Sequence, residues 1–153
     1  MKKIGLLFSL LISTFLLTAQ DNGNMEVNFD FKNATETKEI RIPISPDLKQ
    51  LKFYFSGKIK AGRLKVVILD PNGKKEGTFR LESLTKESSA GSDKGNGIDT
   101  DAYSYSIVGD NYSSASGSMN KDISKPMQGQ WKVEITATKL IGVLMSKIHQ
   151  NND

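Results

Sequence analysis

Apolar and polar residues alternate at every second position through most of this 153-residue chain, and this period constrains the fold more than any other feature. In residues 25–31 the apolar set is Met25, Val27, Phe29 and Phe31, with polar residues between them. Because successive side chains of a strand point to opposite faces, the segment predicts a strand with one buried face. Similar alternation occurs in residues 40–44, 51–55, 103–107 and 131–135.

The apolar run at residues 64–69 predicts a further strand, and it ends at Asp70, Pro71, Asn72 and Gly73. This order is typical of a type I turn, because proline presets φ at the second position and glycine closes the turn. Pro43 indicates an edge strand or a strand end, since proline cannot donate to a sheet ladder.

The last apolar segment, residues 140–148, fits two periods. Leu140, Leu144 and Ile148 have helical spacing, whereas Ile141, Val143 and Met145 alternate. We favour a strand, because Gly142 weakens a helix and strands precede the segment throughout. About eight to nine short strands separated by turns predict an all-β fold, an antiparallel β-sandwich of jelly-roll-like type.

The N-terminus predicts a signal peptide over residues 1–20. Lys2 and Lys3 precede 14 weakly polar to apolar residues, 4–17, and Ala19 offers a cleavage position. A membrane-spanning helix needs roughly 20 apolar residues, so a retained anchor is the weaker alternative and we expect no stable membrane span after cleavage. We therefore expect a single exported domain, residues 21–153, in the periplasm or outside the cell.

Charge and composition exclude several classes of function. Removal of residues 1–20 leaves 19 basic against 17 acidic residues, so the basic balance does not indicate nucleic-acid binding. The chain has no cysteine and one histidine, which excludes thiolate zinc sites and multi-histidine metal centres. His149 lies in a polar tail near the end of the chain and no nucleophile elbow is present, so we predict that the protein is not an enzyme.

Residues 88–101 form a polar segment that contains three glycines and no strand pattern. Loops of this length in compact domains are usually functional or disordered. Calcium prefers oxygen ligands on flexible loops, so the segment offers a candidate calcium site, and no other cofactor is expected. The alternative is a solvated loop in which Asp and Gly satisfy turns. The calcium candidates are Asp93, Asn96, Asp99 and Asp101.

Two further sets of residues are candidates for binding. A basic face could meet a polyanion, or its lysines could discourage edge-to-edge aggregation of the sheet. Tyr103 and Tyr105 share a predicted strand face and could stack on sugar rings, although buried tyrosines are commoner. The basic face, predicted on two consecutive strands, comprises Lys49, Lys52, Lys58, Lys60, Arg63 and Lys65.

Two segments carry a resemblance to a known group of domains. Residues 64–73 (LKVVILDPNG) and 129–135 (GQWKVEI) resemble the jelly-roll-like β-sandwiches appended to secreted proteases, the pre-peptidase C-terminal and proprotein-convertase P-type domains. The resemblance implies a non-catalytic β-sandwich, here standing alone without a protease domain. The lysine-led signal resembles those of Bacteroidetes.

These observations leave three hypotheses for function. The first is an exported, non-catalytic β-sandwich that binds an envelope component or a protein partner through residues 88–101 or the basic face. The second is a calcium-supported carbohydrate-binding module that uses the same loop and Tyr103 or Tyr105. The third, the weakest, is a small hydrolase. The expected partner is thus a protein or a polysaccharide.

Overall fold

The computed structural model describes residues 23–83, the backbone of residues 101–102, and residues 114–152. These residues form one six-stranded sheet, which confirms the predicted all-β, antiparallel class. The described part of the chain contains no helix that could span a membrane. The strands are β1 (Met25–Ile44), β2 (Gln50–Leu69), β3 (Lys75–Glu82), β4 (Asp101–Ala102), β5 (Ala115–Ser124) and β6 (Gly129–Asn151).

Strand β2 lies at the centre of the sheet. Its whole length pairs with β6, which pairs on its other side with β1. On the opposite side, residues 50–59 of β2 pair with β5, and residues 63–69 pair with β3. All of these pairings are antiparallel, whereas the two residues of β4 pair with β3 in parallel.

Three strands are much longer than the sequence predicts. Segments predicted as separate strands are continuous in β1, β2 and β6, which have 20, 20 and 23 residues. Residues 140–148 lie inside β6, so the predicted strand there is confirmed. The prediction of many short strands was wrong for these segments, because backbone pairing continues through positions where the hydrophobic alternation breaks.

The three long strands are irregular at the same level of the sheet. Register shifts occur around Ala34 in β1 and around Ala61 in β2, and both lie opposite residues 137–142 of β6. Each strand also has one residue with positive φ near this level, namely Asn33, Gly62 and Lys139. Bulges of this kind bend a strand and increase its twist, so they mark a line across which the sheet folds.

The sheet folds back on itself at this line. Phe53 pairs with Ile148 of β6. Ile148 lies 17 residues from Trp131 in the same strand, so the two residues would be about 55 Å apart if β6 were straight. The rings of Phe53 and Trp131 are nevertheless 6.3 Å apart. Phe55 and Phe79 make a similar contact at 6.5 Å. The inner faces of the two halves of the sheet therefore pack against each other.

One continuous inner face supplies the hydrophobic core. Its residues come from alternate positions of the long strands, as the two-residue period predicts. The largest fully buried side chains include Trp131, Phe31, Phe53, Phe55 and Phe79. Burial of side chains of this size contributes about 1.5–3 kcal/mol each, so the aromatic contacts between the halves are a major source of stability.

Strand β1 forms one edge of the sheet, and this confirms the edge position suggested by Pro43. The ammonium group of Lys38 lies 5.8 Å from the centre of the Phe29 ring, and it forms an ion pair of 3.3 Å with Glu36. The inward-pointing Lys38, the bulge around Ala34 and Pro43 each discourage the pairing of this edge strand with another chain.

The predicted turn after β2 is confirmed. The amide of Gly73 donates to the carbonyl of Asp70 at 2.9 Å, and Oδ1 of Asp70 accepts from the amides of Asn72 and Lys74. The start of β6 lies against this turn, because a Cβ on Gly129 would stand 3.0 Å from Cβ of Pro71. The two segments that carry the family resemblance are thus neighbours in space.

Candidate functional site

A groove crosses the outer face of one half of the sheet, and we call it the outer groove. It has a volume of about 880 Å³ and spans four neighbouring strands, β1, β6, β2 and β5. The side chains that matter for its chemistry are Asn28, Tyr54, Ser56, Lys58, Val143 and Met145. Small residues, Ser116, Gly117 and Ser118, form its floor at the β5 side.

The strand register explains how residues distant in sequence meet in the outer groove. Asn28, Met145, Ser56 and Ser118 lie opposite one another on four adjacent strands. A second row contains Asp30, Val143, Lys58 and Ser116. Residues two apart on a strand share a face, so both rows point to the same outer side.

Apolar surface occupies the middle of the outer groove. Val143 is 51% exposed, which is unusual for a β-branched residue in a paired central strand. Met145 follows Val143 on the same face of β6, and Tyr54 lies diagonally from Met145 on β2; both side chains are half-buried. Because Tyr54 alternates with the buried Phe53 and Phe55, its ring lies on the outer face while theirs lie in the core.

Both acidic and basic side chains lie beside this apolar strip. Glu26 and Lys147 form an ion pair of 3.0 Å, and the hydrogen bond from Lys147 lowers the pKa of the Glu26 carboxyl against the opposing effect of desolvation. Asp30 and Lys58 lie in the same cross-strand row. Among the described residues, the ion pairs of this face are Glu26–Lys147 and Asp30–Lys32, and neither involves Lys58.

The single histidine lies on the same outer face, beyond the groove. Nδ1 of His149 is 2.6 Å from Oδ1 of Asn24. An amide oxygen only accepts hydrogen bonds, so the ring nitrogen donates. The cross-strand neighbour of His149 on β2 is Lys52.

The predicted basic face does not form one patch. Its residues flank or belong to the single strand β2, whereas the sequence predicts two consecutive strands. Lys52 and Lys58 precede the bend and face outward on one half of the sheet, but Lys65 follows the bend and faces outward on the other. Arg63 forms an ion pair with Glu82. Lys60 and Lys49 are exposed.

The other predicted sites fall largely outside the described residues. This applies to Asp93, Asn96 and Asp99, to Tyr103 and Tyr105, and to the signal peptide. Of the calcium candidates, only the backbone of Asp101 is described, where it pairs with Thr78. Among the described residues there is no group of three or more His, Asp or Glu side chains that could hold a metal ion.

Sequence reasoning missed the outer groove as a site. The alternation of Tyr54 with two phenylalanines does predict an outward ring, and this was the available signal. Val143 and Met145 gave no clear signal, because their segment fits both helical and strand periods. The partners on β1 and β5 depend on strand register, which the sequence does not specify.

Comparisons with known proteins return no match: no protein-family model fits the chain, and no curated protein is similar to it.

Proposed function

We propose that the protein is an exported, non-catalytic binding protein that holds an envelope component or a protein partner in the outer groove. The observation that carries this proposal is the apolar strip of Val143, Met145 and Tyr54, of which Val143 is exposed, inside a rim of polar side chains. Binding sites commonly combine apolar contact surface with a few polar groups that orient the ligand.

The proposed fold is a β-sandwich of jelly-roll-like type. The contact between Phe53 and Trp131 supports it, because packed inner faces are what define a sandwich. The contact of Gly129 with Pro71 supports kinship with the pre-peptidase C-terminal and P-type domains, since it joins the two segments that resemble them. In those families the corresponding domain is non-catalytic.

We propose export through cleavage of the N-terminal segment. The basic start, the 14-residue apolar run and Ala19 support this. Expression in a bacterial host followed by N-terminal sequencing tests it. We expect the periplasmic or secreted protein to begin at Gln20 or Asp21, whereas a membrane-bound product that begins at Met1 would contradict it.

The binding function is tested by obstructing the outer groove. Val143→Arg places a long charged side chain in the apolar strip, at a position that is already 51% exposed and therefore tolerant. Thr37→Arg is the control, because Thr37 is exposed on β1 in the other half of the sheet. The exported protein and both variants are immobilised and incubated with separated polysaccharide and protein fractions of a bacterial envelope.

We expect the wild type and Thr37→Arg to retain the same fraction, and Val143→Arg to lose it while keeping its unfolding midpoint. Equal retention by all three proteins would show that binding occurs elsewhere. Retention of nothing by the wild type would contradict the proposed function itself.

A further inference from the structure

We infer that the ligand of the outer groove is a neutral polysaccharide chain, which crosses the strands from β1 to β5 and stacks on Tyr54. This inference rests on the proposed function and names its ligand class. The groove extends over four strands, so the outermost backbones are about 14 Å apart, and its open shape admits a chain rather than a single small molecule.

The lining has the two chemical properties that a sugar needs. Sugar rings have an apolar C–H face and a rim of hydroxyl groups. The ring of Tyr54 and the side chains of Val143 and Met145 offer the apolar contact. Asn28, Ser56 and the serines of β5 offer short side chains that both donate and accept hydrogen bonds with hydroxyl groups.

The charge of the lining favours a neutral chain over a polyanion. Among the residues that the structure describes, only Asp30 and Lys58 are charged and line the groove, and they belong to one cross-strand row. Glu26 lies on the same outer face near Tyr54 and is paired with Lys147. The described lining thus carries one negative and one positive charge, and it offers no excess of positive charge that would attract a polyanion.

The two central strands under the groove, β6 and β2, leave no place for a peptide added as a strand. In this half of the sheet β6 lies between β1 and β2, and β2 lies between β6 and β5, so their backbone groups are already paired on both sides. Peptides that bind by strand addition need a free edge. A ligand on this face must instead be held by side chains, as a sugar chain can be.

The test uses soluble, neutral polysaccharides as probes, namely a β-glucan, a xylan and a mannan, with heparin as the anionic comparator. Dissociation constants are measured by affinity electrophoresis for the exported wild type, Tyr54→Ala and Tyr54→Phe. Lys132→Ala, on the outer face of the other half of the sheet, is the control. Unfolding midpoints show whether each variant is folded.

We expect at least one neutral polysaccharide to bind, and Tyr54→Ala to weaken it about tenfold, because loss of one aromatic contact has this order of effect. Tyr54→Phe keeps the ring and is expected to bind within about threefold of the wild type. The control should be unchanged.

Three results would overturn the inference. If only heparin binds, the ligand is a polyanion. If no polysaccharide binds but Val143→Arg abolishes retention of an envelope protein, the ligand is a protein and the proposed binding function stands. If a neutral polysaccharide binds equally to the wild type and to folded Tyr54→Ala, the site lies elsewhere.

Discussion

Gly57 and Leu81 approach each other across the interior so closely that a Cβ on Gly57 would lie 2.7 Å from Cδ1 of Leu81. The two residues belong to opposite halves of the folded sheet. Gly57 is paired with Leu144 before the bend in β2, and Leu81 is paired with Leu64 after it. The absence of a side chain at position 57 therefore lets the two halves come together.

This contact predicts a coupled effect of two substitutions. Gly57→Val should destabilise the protein by about 1–3 kcal/mol, because overpacking forces its neighbours to shift. Leu81→Ala alone should cost about 2–5 kcal/mol through the cavity it leaves. The double variant should cost less than the sum, since valine occupies part of that cavity. Urea unfolding measures the four free energies, and strict additivity would show that the residues do not touch.

Gly62 lies at the bend of β2, and Gly73, in the turn after this strand, is its matched comparison. Both have positive φ, 85° and 80°, so an alanine at either position is strained by about 1–2 kcal/mol. At Gly62 a Cβ would also clash with the carbonyl oxygen of Lys139, whereas at Gly73 no described atom lies within 4 Å of a Cβ. Gly62→Ala should therefore be the more destabilising, by about 3 kcal/mol or more in total. Equal losses of unfolding free energy would contradict the close contact of β2 and β6 at the bend.

Ser146 lies in the core, and its hydroxyl has no hydrogen-bond partner among the described residues. An unsatisfied buried polar group costs about 1–3 kcal/mol, so Ser146→Ala should leave the stability unchanged or raise it by up to that amount. Ala137→Ser is the matched control, because Ala137 is also buried in β6 and there the added hydroxyl should destabilise. A clear loss of stability in Ser146→Ala would indicate that its hydroxyl is bonded.

The Glu26–Lys147 pair predicts a local pH dependence. Its hydrogen bond lowers the pKa of the Glu26 carboxyl below the ordinary value of 4.5. A carboxyl with a depressed folded pKa stabilises the protein above its unfolded pKa, and this contribution disappears as the pH falls through the folded pKa. NMR titration should show the pKa of Glu26 rising in Lys147→Met and staying low in Lys132→Met. A low value in both variants would assign the shift to another group.

The calcium hypothesis predicts a change in thermal unfolding. A ligand that binds only the folded state adds about 2.7 kcal/mol of stability at 100 times its Kd. If residues 88–101 hold calcium, the midpoint should rise from EDTA to millimolar calcium, and Asp99→Asn with Asp101→Asn should remove the rise. Lys94→Ala is a control in the same segment. An unchanged midpoint in the wild type would contradict a stabilising calcium site.

Much of the secondary structure follows from sequence alone. Alternation placed Phe53 and Phe55 on the buried face and Tyr54 on the other, and the structure confirms this. The turn at Asp70 was also predictable, because its residue types satisfy one local geometry. Such features depend on neighbours within a few residues, so local chemistry determines them.

The bend and the outer groove depend on the tertiary structure. Nothing near Phe53 in the sequence indicates that Trp131 will lie 6.3 Å from its ring. The apolar strip likewise unites Tyr54 with Val143, and strand register alone makes Ser56 the neighbour of Met145. The sequence by itself determined which face of each strand is buried. Pairing and packing between distant segments decided which outward-facing side chains meet, since register is set by non-local contacts.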